Sequence, residues 1–359
     1  MNDTRQDITS VQLMAFTISG AIGVGILLLP SLLAEEVGHD GWISSLVGGF
    51  ICLIVTVMIM LLLRRYINKS IFQINILLYG KIFGYILNLF FIVYLIFITG
   101  ITLRIFEEVT NIIILKLTPA LVTTVLIILP TIYATSKGLK VVCRFSVLLF
   151  IAYFILILSL LLAIHNLRFT YIMPIGKAGF IPIIKSMKVT IYSYLGFELA
   201  TLIYPNVKDK EKALKYMVIS IIFTTIFFTI VVSISTMLFG EIKLSMLVFP
   251  IYNIEQSITV PVLERLDTVF ILFWFPTMGG TIRSYFFSLY YSISMLFNIK
   301  RKKLLLAIVT IIEIIISRIP ENFEAIYRYS TYSGILGVII ISIIIITFFI
   351  SLFKKKVLA

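Results

Sequence analysis

Ten apolar runs, each long enough to cross a bilayer, recur along the 359-residue chain: about 9–34, 42–63, 84–105, 118–136, 141–165, 184–204, 213–239, 266–295, 303–319 and 330–353. A helix needs about 20 apolar residues to span the hydrocarbon layer, so ten of them take up most of the chain. The expectation is an all-α polytopic membrane protein forming a single transmembrane domain over residues 1–359. Charged residues make up only 13% of the chain and hydrophobic residues 60%. Soluble domains carry about a quarter charged residues, and so sparse a polar complement would not cover a surface in water. Secreted, disordered and nucleic-acid-binding classes are excluded on that ground. The polar stretch Met1–Thr9 lacks a basic n-region and a small-residue cleavage site, so the first run reads as a retained helix, not a signal peptide.

The net charge of +13, from 30 basic and 17 acidic residues, reports orientation. With the N-terminus inside, the cytoplasmic segments hold 19 of the basic residues, in clusters such as Lys208, Lys210, Lys212 and Lys215, or Lys300 to Lys303. The outer segments hold 10, and Arg283 alone lies within a span. The positive-inside rule then places both termini in the cytoplasm. Cys52 and Cys143 read as small buried hydrophobes. His39 and His165 read as interfacial polar residues with no ligand spacing, so neither a metal nor a cofactor is expected.

Two spans are built to break. Span 1 contains Gly20, Gly23 and Gly25 within six residues, followed by Pro30. Small residues allow close helix packing, but clustered glycines with a proline favour unwound backbone, which survives in a bilayer only when buried in protein or lining a cavity. Span 6 carries Tyr192-Ser193-Tyr194-Leu195-Gly196-Phe197-Glu198, with a carboxyl at mid-span where an ionised group is costly. Either Glu198 serves a site, or it caps amides freed by a break. The breaks fall at corresponding places in two five-span halves, about 9–165 and 184–353. An odd number of spans makes the halves opposite in orientation. Each break is followed, just over fifty residues later, by a segment too short or too interrupted to cross: Ser70–Tyr79 and Glu241–Glu264. Paired interrupted spans in an inverted repeat point to a midplane ligand site.

The Gly-x-Gly-Ile string before Pro30, with aromatic-Ser-aromatic-x-Gly-x-Glu in span 6, resembles the amino acid–polyamine–organocation transporter superfamily. More selective strings are Ile8-Thr9-Ser10, Gly38-His39-Asp40-Gly41-Trp42-Ile43-Ser44, Tyr204-Pro205 and Leu263-Glu264-Arg265-Leu266-Asp267. With them the chain, over about residues 5–355, resembles the B subunits of spore germinant receptors, the GerAB/GerKB-type spore permease family. The resemblance implies a LeuT-type 5+5 inverted repeat with helices 1 and 6 broken. It also implies a place in the spore inner membrane, an A-type membrane subunit and a C-type lipoprotein as partners, and a small germinant, commonly an amino acid, as ligand. By position it implies that Gly20, Ala21, Gly23 and Gly25 cradle a carboxylate. Tyr192 would lie over the ligand, and Gly196 and Glu198 would link the second break to gating. Tyr94 on span 3, with Thr277 and Thr281 on span 8, would complete the pocket, though packing explains those three equally well.

Ala21, Ile22 and Val24 make that pocket apolar and favour a small uncharged side chain on the ligand. For Arg283, snorkelling to the cytoplasmic face and pairing with Glu198 or Glu313 both stay open. Glu313 reads as structural, Glu107 and Glu108 as solvated, and Arg265 with Asp267 as an interfacial pair. An amino-acid permease shares every one of these features. An intramembrane enzyme does not, because no nucleophile and base are paired by spacing.

Overall fold

In a computed structural model of the chain, residues 7–257 and 266–354 are described, apart from the side chains of Val24 and Leu266. Arg5, Glu264, Arg265, Lys355 and Lys356 lie outside the described residues. Within them the chain is almost wholly helical apart from short connections, and the expected spans all appear as helices.

The first span is two helices, α1 (Ser10–Ala21) and α2 (Val24–Val37). Thr9 starts α1 with a capping box: its hydroxyl accepts the Gln12 N–H, and the Gln12 side chain accepts the Thr9 N–H. The helix stops because Ile22 and Gly23 leave helical geometry, Gly23 lying at φ −151° and ψ −82°. The chain then runs through α3 (Gly41–Arg65), a short α4 (Ile71–Tyr79), α5 (Lys81–Ile113), α6 (Ala120–Lys137) and α7 (Leu139–Leu161). The second half repeats the order. A broken span, α8 (Phe180–Tyr194) and α9 (Ala200–Ile203), leads to α10 (Lys210–Met246), a short α11 (Pro250–Ser257), α12 (Leu266–Leu296), α13 (Lys302–Ser317) and α14 (Phe323–Phe353). Among the described residues, six helical stretches are long and apolar enough to cross a membrane by length and composition alone. The other spans are divided by a break, shorter, or richer in polar residues.

Short α4 and α11 occupy equivalent places after each half's second span, as the sequence indicates. Asn75 of α4 donates to Asn88 of α5 at 2.9 Å, and Asn88 donates to the Phe72 carbonyl at 3.0 Å, which pins α4 across the base of α5. At the same face, the start of span 1 is joined to the end of span 6. Ile8 and Val207 form an isolated bridge, and Ser10 N–H donates to the Asp209 carboxylate at 2.7 Å. The opposite end of the bundle is called the far face below.

Candidate ligand-binding site

The two breaks meet back to back at the centre of the bundle. A Cβ on Gly20 would stand 3.1 Å from the Gly196 Cα, and a Cβ on Gly196 would stand 2.8 Å from both the Ala21 nitrogen and the Gly20 carbonyl carbon. Gly196 also adopts φ +133°, which L side chains rarely tolerate. No other residue fits at that crossing. Where α1 unwinds, the Gly23 N–H turns to the Ala21 carbonyl at 3.1 Å and no longer reaches Ser19. The freed Ser19 carbonyl accepts the Thr281 hydroxyl from α12 at 2.8 Å, and the Phe16 carbonyl accepts the Ser284 hydroxyl at 3.2 Å. The Thr281 hydroxyl on α12 thus repairs the end of α1, as a buried helix terminus requires, while Ser284 adds a second bond one turn back.

Glu198 repairs the second break. Its carboxylate accepts the Gly196 N–H at 2.6 Å, the Tyr94 hydroxyl from α5 at 2.8 Å and the Tyr285 hydroxyl from α12 at 3.3 Å. All three side chains are fully or almost fully buried. The carboxyl therefore caps a freed amide, the second of the two readings of its sequence position, and ties the break to two neighbouring helices at once.

Beside this junction lies a cavity of about 30 Å³, lined by Gly20, Ala21 and Gly25 from the first break and by Tyr192, Ser193 and Leu195 from the second. Ile98, Thr102, Thr281 and Tyr285 close its other walls. It is water-sized, so a larger ligand requires the half-helices to part. Gly25 also packs closely: a Cβ there would meet Phe228 at 2.9 Å and the Ser193 Cβ at 3.1 Å. A second cavity of about 180 Å³ lies toward the far face, with Leu28, Ile105, Phe249, Phe323 and Ser330 among its lining residues. Tyr192 separates the two, its hydroxyl 2.5 Å from that of Ser330.

Of the residues singled out in the sequence, Gly20, Ala21, Gly25, Tyr192 and Thr281 line the inner cavity. Tyr94, Gly196 and Glu198 form the wall behind it, reaching the cavity through Tyr285. Gly23 packs against Thr281 and Met278. Thr277 is not brought to the cavity; its hydroxyl donates to the Trp274 carbonyl on its own helix at 2.7 Å. Tyr285 is a residue that sequence reading missed, although it follows Thr281 by one helical turn and so shares its face.

Three charge expectations need correction. Glu107 is not solvated. It is fully buried because α5 continues to Ile113, beyond the apolar run, and carries the acid inside. There it joins Arg104, Arg318 just past the end of α13 at 2.7 Å, and Asn111 at 2.8 Å. Glu108, a quarter exposed, pairs with Arg104 at 2.8 Å. Arg283 pairs with neither Glu198 nor Glu313: its guanidinium lies over the Phe145 ring, 5.5 Å from the centroid, and donates to the Pro276 carbonyl at 3.4 Å. Both cysteines are free and buried, as their sequence setting indicates.

Solved transporters share this architecture. The structure titled MhsT in complex with L-phenylalanine aligns with a TM-score of 0.70 at 18% identity, over 94% of this chain and 89% of that chain. A closed form of MHP1, a nucleobase-cation-symport-1 family transporter with bromovinylhydantoin bound, gives 0.67 at 12% identity, over 95% and 80%. Fold and breaks together define a multi-pass membrane protein of the LeuT-fold class. Within that class the chain belongs to the spore germination protein family, whose profile, described as Spore germination protein, matches residues 7–326. Spore germination protein B2 of Bacillus subtilis (strain 168) is 25% identical over 364 residues, covering 99% of this chain and 98% of that protein. Spore germination protein GerQB of Bacillus cereus is 26% identical over 320 residues, covering 89% and 88%.

Proposed function

We propose that this chain is the ligand-sensing membrane subunit of a spore germinant receptor. A small germinant, an amino acid with an uncharged side chain, binds between the two helix breaks. The observation that carries this reading is the meeting of Gly20 and Gly196 beside a cavity walled by both breaks. At that point α2 begins, and the first amides of a helix face outward with the positive end of its dipole. A ligand carboxylate is matched to that end. Tyr192 stands between the site and the larger far cavity, so entry from that side requires its hydroxyl to leave Ser330. The 19-to-10 distribution of basic residues supports cytoplasmic termini, with the far face outward, in the inner membrane of the spore. An A-type membrane subunit and a C-type lipoprotein are the proposed partners. Ligand acts by its differential affinity for the closed and parted arrangements of the half-helices.

Gly25→Leu tests the site, because Gly25 lines the cavity and a side chain there projects against Ser193 of the second break. Spores carrying it at parental protein levels are expected to lose at least about tenfold in germinant sensitivity, equivalent to about 1.4 kcal/mol of binding. Germination is followed as the fall in optical density of a spore suspension. A parental dose-response curve would remove the cavity from the mechanism. The alternative, a permease working by alternating access, is distinguished by uptake of labelled amino acids into proteoliposomes holding this chain alone.

A further inference from the structure

The turn between α2 and α3 carries a histidine that takes no part in the cavity. His39 is 4% exposed, and its two ring nitrogens face two acceptors. Nδ1 lies 2.6 Å from the Glu241 carboxylate, and Nε2 lies 2.8 Å from the Pro174 carbonyl. The His39 backbone N–H also donates to Glu241, at 3.2 Å. A carbonyl accepts only, as does an ionised carboxylate, so both ring nitrogens must donate. Only the imidazolium has two N–H groups. A neutral ring keeps one of the two contacts and sets a lone pair against the other acceptor.

These contacts join segments far apart in the chain. Pro174 belongs to the connection that leads into α8, and Glu241 follows Gly240, where α10 kinks at φ +69°. Asp40 holds the same connection, accepting the Gly176 and Ala178 N–H groups at 2.8 Å each. The two half-helices so joined, α2 and α8, are those that face each other across the ligand cavity through Gly25 and Ser193. Other charged groups surround the turn: Glu36 on α2, Lys177 in the connection, Lys243 on α10, and Lys188 on α8, which pairs with Glu36 at 2.9 Å. Lys177 stands 3.8 Å from Glu241. The first turn of α3, Gly41 to Ser44, adds no charge.

We propose that His39 is a proton-operated latch: as the imidazolium it fastens α2, α8 and α10 together at the far face, and loss of its proton unfastens them. Burial by itself lowers the His39 pKa, but the Pro174 carbonyl, the Glu241 carboxylate and the Asp40 charge raise it further, to above its ordinary 6.5. Glu241 is held below the ordinary carboxylate value of 4.5, chiefly by the hydrogen bond from His39. A raised histidine contributes fully below its ordinary value and loses its contribution as pH rises through the raised one. The depressed Glu241 contributes above its ordinary value and fails only in acid. The latch is therefore closed between those limits and opens toward alkaline pH.

The chain has two histidines, so a His165→Gln background leaves His39 as the only imidazole signal in the NMR spectrum of histidine-labelled protein. In the full chain, reconstituted in nanodiscs, this ring is expected to titrate above 6.5. Spin labels at Met173→Cys and Ile242→Cys, both exposed positions, read the latch as a distance, with Cys52 and Cys143 replaced by Ala. The distribution is expected to be short and narrow at mildly acidic pH and to become longer and broader with a midpoint matching the ring titration. In His39→Gln it is expected to be broad and independent of pH. A distribution unchanged across the titration, or a ring titrating below 6.5, overturns the latch. The parental titration decides the matter even if His39→Gln does not fold.

Discussion

Replacing Glu198 separates capping of the helix break from simple filling of space. The carboxylate accepts three donors, the Gly196 amide and the hydroxyls of Tyr94 and Tyr285. In Glu198→Ala all three lose their acceptor. The two tyrosine hydroxyls can turn toward each other, which leaves the amide and one hydroxyl stranded. A buried unsatisfied donor costs about 1–3 kcal/mol, so the expected loss is ~2–6 kcal/mol. Glu198→Gln behaves differently. Its amide oxygen takes the Gly196 N–H, and its NH₂ donates to the hydroxyl oxygens, which leaves one tyrosine O–H without an acceptor, so the loss is about 1–3 kcal/mol. The assay is thermal unfolding of the purified protein in detergent, followed by tryptophan fluorescence, with denaturant titration to place the free-energy difference. Equal destabilisation by Ala and Gln would show that the carboxyl is not capping the break. A parental melting temperature in Glu198→Ala would show that the three contacts hold nothing together.

Gly196→Ala is expected to lose more than about 3 kcal/mol, because it combines positive φ with a Cβ lodged against backbone that has nowhere to move; thermal unfolding measures it. Glu107→Gln is expected to cost ~3–5 kcal/mol, since it removes a fully buried carboxylate charge and leaves the buried Arg104 guanidinium, beside the partly exposed Arg318, with less than its counter-charge. Glu108→Gln, at a partly exposed side chain, is expected to cost about 1 kcal/mol or less, and equal effects in the two variants would refute the burial argument.

The spans and breaks were legible because the bilayer imposes them: apolar length marks a span, and clustered glycines with a mid-span carboxyl mark where it unwinds. Gly20, Gly25 and Glu198 are visible on that basis alone. The companions of Glu198 are not, because a hydroxyl at Tyr285 and one at Thr277 look alike until the rotation of α12 is known. One meets the site and the other turns back onto its own helix. Glu107 shows a different limit. An acid just beyond an apolar run looks solvated, and its partner Arg318 is 211 residues away, a pairing that no local pattern encodes. His39 is similar, since Glu241 and Pro174 reach it from 202 and 135 residues away.

The repair of α1 by α12 bears on how the protein is made. The Ser19 carbonyl waits for a hydroxyl 262 residues later. During synthesis the first broken helix therefore enters the bilayer with a backbone carbonyl that its own half of the chain does not satisfy. An unpaired group of this kind is costly in hydrocarbon, so the nascent span must shelter at the insertion machinery or near the headgroups until the second half arrives. Truncations after the first repeat should then be poorly inserted even though every helix they contain is complete, making the crossing of the two breaks a late checkpoint of biogenesis.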